Sequence, residues 1–353
     1  MRPPLRHSIR GASSKGGVAV WGHNVTLQTV MWVFGAGLVL LALGGEGLIR
    51  GGVMIKRALG VSPVIVGLFV LSIGTSSPGL ATAIQAAHSN LPDLAVGTLI
   101  GTTLINLLLI LGLGAVIRPM QSPPKVVLRD GGALILASVG LVALSLVGHI
   151  GRREGAALVG AFVLYAVVAV VSDWRRAAEH SVSCAAAERR AVGESSSVTG
   201  GLFVLIVGVI CLILGAHFLA GGAVSLADIY DVPLGTVALT AVALATSLPV
   251  LIATAIAAAR GHTQIAIGHL ITASVFNLFG ALGIAALVHP LQIPKAFAAG
   301  DVFVILAASV LLIPLLSTHW RLSRLKGAAL VLAYLGYIGF LAWRQGLIPH
   351  GVV

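Results

Sequence analysis

Two short stretches interrupt apolar runs with the same chemistry. Thr75-Ser76-Ser77-Pro78 and Thr246-Ser247-Leu248-Pro249 each set hydroxyls just before a proline. Proline lacks a backbone donor, so the carbonyl one turn earlier loses its helical partner. Hydroxyls beside such a break can line a hydrated gap inside a membrane. The plainer alternative is a kinked helix whose Ser and Thr bond their own backbone. Further on stand Thr102, Asn106 and Asn277, each in a Gly-containing apolar run. All of these offer neutral oxygen. Such a set suits a monovalent cation, a small neutral solute, or an anion at helix N-termini. Calcium asks for six to eight oxygens and usually several carboxylates. A divalent ion without counter-charge meets a desolvation penalty that hydroxyls alone do not offset.

The two stretches belong to an internal repeat. Residues 46–119 align without a gap on 217–290, an offset of 171, with 22 of 74 positions identical. Composition alone accounts for roughly 10% identity. The informative matches are Thr75/Thr246, Ser76/Ser247, Pro78/Pro249, Gly97/Gly268, Asn106/Asn277, Gly112/Gly283 and Pro119/Pro290. The second copy begins after an odd number of apolar runs, so it enters the membrane from the opposite face. Inverted repeats of this kind place a transport site near the bilayer midplane, where the copies meet.

Few ionisable side chains fall near these runs. Glu46 stands four residues before Arg50, which suits an interfacial ion pair, or else a proton-coupled or gating group. Its repeat mate His217 lies deeper, as a functional histidine or one bonded to a carbonyl. His269 opens a later run, as a ligand, a proton carrier or an interfacial residue. Asp93 begins another, where a carboxylate suits the helix dipole. Cys184 and Cys211 make no disulfide framework or metal motif.

The elements that must carry these residues follow from composition. Of 353 residues, 58% are hydrophobic and 9% charged, and mean hydropathy is +1.04. That excludes a soluble enzyme, a disordered chain and a free-standing nucleic-acid-binding domain. Ten apolar spans are expected, near 29–49, 61–87, 92–117, 132–149, 156–172, 201–221, 233–259, 264–288, 300–316 and 326–343, in an all-α membrane protein. They divide into a tail at 1–28, expected to be disordered, five spans in 29–172, a cytoplasmic loop at 173–199, five spans in 200–345, and a tail at 346–353. The +11 charge reads as membrane topology. Alternate loops split 14 to 4 in Lys+Arg, which puts both termini outside and 173–199 in the cytoplasm of a bacterial inner membrane. Arg2, Arg6, Arg10 and Lys15 oppose this orientation, and translation from Met31 would remove the conflict.

The paired motifs resemble the cation/calcium exchanger superfamily, the sodium/calcium exchangers and their prokaryotic relatives. Family repeats carry G-T-S-x-P-E in the second span and G-N-x-x-G-S-N-x-x-(N/D) in the third. Here the first copy reads Gly74-Thr75-Ser76-Ser77-Pro78-Gly79, then Gly97-Thr98 through Gly101-Thr102 to Asn106. The second reads Ala245-Thr246-Ser247-Leu248-Pro249-Val250, then Gly268-His269 through Thr272-Ala273 to Asn277. The resemblance covers about residues 30–343. It implies two inverted five-span repeats and alternating access, with spans 1 and 6 moving against spans 2, 3, 7 and 8.

The departures fall at the chemistry. The glutamates that ligate calcium in the family align with Gly79 and Val250. The acidic ligand of some members aligns with Asn277, the first motif Asn with Thr98 and His269, and the sodium-binding Ser positions with Thr102 and Ala273. The expected site is therefore Thr75, Ser76, Thr102, Asn106, Thr246, Ser247 and Asn277, with Glu46, His217 and His269 as proton-coupled or gating candidates. The resemblance implies a secondary antiporter of the sodium/calcium type, with calcium selectivity in question. The sequence also leaves open another cargo on the same fold, or an inactive scaffold or sensor. No resident cofactor or firm metal site is expected. The expected partners are the lipid bilayer and a transported ion, Na+ included, or a small solute.

Overall fold

The computed structural model describes residues 26–59, 63–189, 198–259, 261, 263–317 and 320–344. Within them the chain forms ten rods: α1 Leu27–Leu59, α2 Pro63–His88, α3 Pro92–Ile117, α4 Pro124–Val147, α5 Arg152–Arg189, α6 Val198–Tyr230, α7 Leu234–Ala259, α8 (263–288), α9 Phe297–Ser317 and α10 Arg324–Arg344. All but α2 meet the length and apolarity for a membrane span among the described residues, and α2 runs for 26 residues beside them. Helices are the expected solution, since every backbone group in hydrocarbon must be satisfied within its own segment.

The repeat offset is written into the backbone. α1 and α6 both have 33 residues, and their ends differ by 171. α3 and α8 match residue for residue. Both open as α-helix, widen into a π-helical turn at Ile105–Ile110 or Phe276–Ala281, and return to α-helix at Leu111–Ile117 or Leu282–Val288. These two rods form the centre, with every residue buried from Leu94 to Leu108 and from Ala266 to Gly283.

α1 and α6 lie antiparallel along a seam of glycines seven residues apart. A Cβ on Gly37 would fall 2.8 Å from the Leu219 backbone, one on Gly44 2.8 Å from Gly208, and one on Gly51 2.8 Å from Gly201. As the number rises on α1 it falls on α6, as inverted repeats require. In a bilayer small residues let helix backbones approach until dispersion contacts hold them.

The structure departs from the sequence reading in two places. α5 continues as helix to Arg189, through most of the segment read as a loop; its Ala, Glu and Arg content favours helix. The rest of that loop at 190–197, most of the 1–28 tail and the 346–353 tail lie outside the described residues. Among the described residues, four two-residue strands also interrupt the helical pattern: β1 Met120–Gln121, β2 His149–Ile150, β3 Leu291–Gln292 and β4 Arg321–Leu322. They pair antiparallel as β1 with β4 and β2 with β3, one ribbon joining links from both halves at each end of the bundle.

Candidate functional site

The proline-bearing helices α2 and α7 each pack against the widened turn of the opposite repeat, α2 against Phe276–Ala281 and α7 against Ile105–Ile110. The extra residue in a π turn shifts side chains around the helix, and such turns recur at functional sites. Asn106 and Asn277 occupy equivalent positions in the two turns. Each offers its carbonyl to the amide five residues on, Leu111 or Leu282. Both Asn side chains are fully buried, and neither amide has a hydrogen-bond partner.

The two proline breaks differ. The carbonyl that Pro78 frees belongs to Gly74, and the Ser77 hydroxyl donates to it at 2.6 Å. The first break is therefore capped within its own helix, as in the alternative of a kinked helix whose hydroxyls bond their own backbone. Pro249 frees Ala245, where the residue matching Ser77 is Leu248, which has no hydroxyl to donate.

The hydroxyls before the prolines knit the repeats together. Thr246 donates to backbone carbonyls of Val242 or Ala243, at 2.9 and 3.1 Å, and lies 3.4 Å from Thr102 on α3. Thr102 reaches the Thr98 carbonyl at 2.7 Å. Thr75 lies 3.2 Å from His269 Nε2, while His269 Nδ1 lies 3.1 Å from Ser72. The hydroxyls of Ser76 and Ser247 are buried without partners. Four of the seven expected residues, Ser76, Asn106, Ser247 and Asn277, thus hold unmatched polar atoms in two repeat-related pairs. Buried polar groups are ordinarily paired, and an orphan costs about 1–3 kcal/mol.

The replaced ligand positions are unlike each other. A Cβ built on buried Gly79 meets only the Thr102 hydroxyl, at 3.9 Å, so space stands beside that residue. Val250 is buried and fills its position with hydrocarbon.

The ionisable candidates separate. His269 is buried between α8 and α2, which overturns the interfacial alternative. Thr98, its repeat mate, turns back on its own helix at the Leu94 carbonyl, 2.6 Å away. Glu46 is exposed and accepts from Arg50 at 2.5 Å, as the ion-pair reading expects, and it does not join the site. His217 is half-buried on α6 with its ring beside Phe218.

Sequence reasoning passed over two buried carboxylates. Asp130 on α4 accepts from Arg129 at 2.6 and 3.2 Å, and Arg129 also donates to Ser172 and the Ala169 carbonyl on α5. Asp301, its repeat mate, accepts from Tyr337 at 2.9 Å and Arg344 at 3.1 Å, both on α10. Each acid ties the fourth rod of its repeat to the fifth. The offset of 171 between them was the available signal. Among the described residues, no three His, Cys, Asp or Glu side chains are grouped to hold a metal ion.

The family model described as sodium/calcium exchanger protein matches residues 29–171 and 200–343. The inner membrane protein YrbG of Escherichia coli is 32% identical over 309 residues, 87% of this chain and 93% of that protein. The sodium/calcium exchanger MaX1 of Methanosarcina acetivorans is 26% identical, across 86% of this chain and 95% of its own. Among solved structures, the sodium-calcium exchanger NCX_Mj soaked with Na+ and Sr2+ superposes with a TM-score of 0.60 at 26% identity, covering 88% of this chain and 97% of its own.

Proposed function

The chain belongs to the sodium/calcium exchanger family, and from that premise we propose a secondary active antiporter that works by alternating access and carries a monovalent cation rather than calcium. The observation behind this reading is the set of buried, unmatched groups at Ser76, Asn106, Ser247 and Asn277. They lie on elements that pack on one another, α2 against the turn of Asn277 and α7 against the turn of Asn106, and no carboxylate is among them. Hydroxyl and amide oxygens can replace part of the hydration of a singly charged ion. Two charges would need the acids that Gly79 and Val250 replace.

In this reading the ion is cargo, no cofactor takes part, and the partners are the bilayer and the ion. The protein is a transporter and not an enzyme. It lies in a bacterial inner membrane with both termini outside and 173–199 in the cytoplasm, as the loop charges favour. The test is flux in proteoliposomes across a panel of Na+, Li+, K+ and Ca2+ gradients. Countertransport driven by a monovalent gradient is expected. Calcium flux that saturates as readily as monovalent flux overturns the cargo, and no flux of any ion overturns the transporter.

A further inference from the structure

We infer that the β1/β4 ribbon is a binding site for the headgroup of an anionic phospholipid, held by Arg118, Arg321 and Arg324. Three links converge there. Arg321 lies on β4 opposite Gln121 of β1. Arg324 reaches across to the Ile117 carbonyl at the end of α3, 207 residues away in sequence. The Arg118 guanidinium lies over the backbone of Gly261, in the turn between α7 and α8; a Cβ on that glycine would meet it at 3.0 Å. Gln121 holds the same turn through Thr263.

All three arginines are exposed, and none forms an ion pair among the described residues. The segments 118–123, 260–263 and 317–326 contain no Asp or Glu. Lys326 is already engaged, donating to the Leu315 and Arg321 carbonyls. Topology accounts for basic residues on this side of the membrane. It does not account for a ribbon that gathers three of them, from chain segments about 200 residues apart, beside links that carry no acid.

The neighbours select a lipid over a free anion. Val116 and Ile117 precede Arg118, Leu325 follows Arg324, and all three are exposed, Leu325 at 82%. Acyl chains can cover that hydrocarbon while the guanidinium forks bind phosphate. The equivalent ribbon at the other end, β2 with β3, lacks this character. It carries Arg152 and Arg153 beside Glu154, with His289 at the position matching Arg118.

The test titrates the purified full-length protein in detergent with phosphatidylglycerol, with phosphatidylcholine and with inorganic phosphate, following the thermal midpoint. Phosphatidylglycerol should stabilise the wild type at concentrations at least about tenfold below phosphatidylcholine, and phosphate should not. Each arginine near an anionic surface contributes about fivefold in affinity, so Arg118→Gln with Arg321→Gln should raise the half-saturating phosphatidylglycerol about 25-fold and leave the phosphatidylcholine curve in place. Arg152→Gln with Arg153→Gln should titrate as the wild type. Arg321→Gln alone, which removes no side-chain bond of the fold, should shift the curve about fivefold and serves if the double variant misfolds. Unshifted variants overturn the site. Equal stabilisation by phosphate overturns the lipid. Neither outcome depends on transport activity.

Discussion

The hydroxyl oxygens of Ser138 on α4 and Ser309 on α9 lie 2.8 Å apart, and the two residues are 171 positions apart in the chain. A residue that touches its own repeat mate stands on the approximate two-fold axis relating the halves, as it does at an isologous interface between subunits. Each serine also reaches a carbonyl of its own helix, Leu134 or Ile305, at 2.8 Å. Only one of the two can donate across the axis while the other keeps its backbone bond.

This contact should have a measurable coupling. In a double-mutant cycle of Ser138→Ala and Ser309→Ala, the interaction energy should be about 0.5–1.5 kcal/mol, read from unfolding in detergent. Strict additivity of the two single changes would show that the hydroxyls are neighbours without a bond.

The glycine seam between α1 and α6 gives a sharper contrast. A Cβ on Gly44 would come within 2.7–2.8 Å of Leu212 and the Gly208 backbone, whereas one on Gly35 meets nothing within 4 Å. Gly44→Ala should destabilise by about 1–3 kcal/mol, because the facing atoms are largely backbone and cannot turn aside. Gly35→Ala should be neutral or slightly stabilising, since alanine is the better helix former. Equal effects on the thermal midpoint would mean that the two helices are not held this closely.

Much of the fold was legible because the repeat is ungapped. The offset that aligns Thr75 with Thr246 also aligns the π turns around Asn106 and Asn277, although π geometry itself leaves no mark on the sequence. Asp130 and Asp301 are harder to find because both lie beyond the aligned repeat, which ends at Pro119 and Pro290. Both acids are buried against arginine. Hydropathy scores a buried ion pair as two polar residues and so draws the span shorter. The bond between Ser77 and the Gly74 carbonyl is one of two alternatives that the sequence leaves open. Proline predicts that a carbonyl is freed, but only the side-chain rotamer decides whether a neighbouring hydroxyl closes it. His269 was ambiguous because a residue near the start of an apolar run can face the headgroups or the bundle, and the packing of α2 on α8 decides that.

The unmatched hydroxyls allow ligand and scaffold roles to be separated. With nothing bound, Ser76→Ala and Ser247→Ala each remove a buried orphan, so unliganded stability should hold or rise by up to about 1 kcal/mol. Transport of the cargo ion, and the stabilisation that the ion confers, should fall in both variants and most in the double variant. If the serines instead serve packing alone, both variants will keep ion-dependent stabilisation at the wild-type ion concentration.

The replaced glutamates supply the remaining test, and the structure makes its two halves unequal. At Gly79 a new side chain starts in open space, 3.9 Å from the Thr102 hydroxyl. At Val250 it must take the place of a buried apolar group. Gly79→Glu should therefore fold well, at the cost of one buried carboxylate whose charge invites a cation. Val250→Glu alone should be the less stable single variant. Together they restore two acids on opposite repeats, enough to neutralise a divalent ion among the hydroxyls and amides already present. The double variant should gain thermal stabilisation from calcium that the wild type lacks, and Gly79→Glu alone should gain a smaller part of it. Strong calcium stabilisation of the wild-type protein would overturn the assignment of a monovalent site. A folded double variant indifferent to calcium would show that Thr102, Asn106 and Asn277 no longer present their oxygens in the arrangement calcium needs.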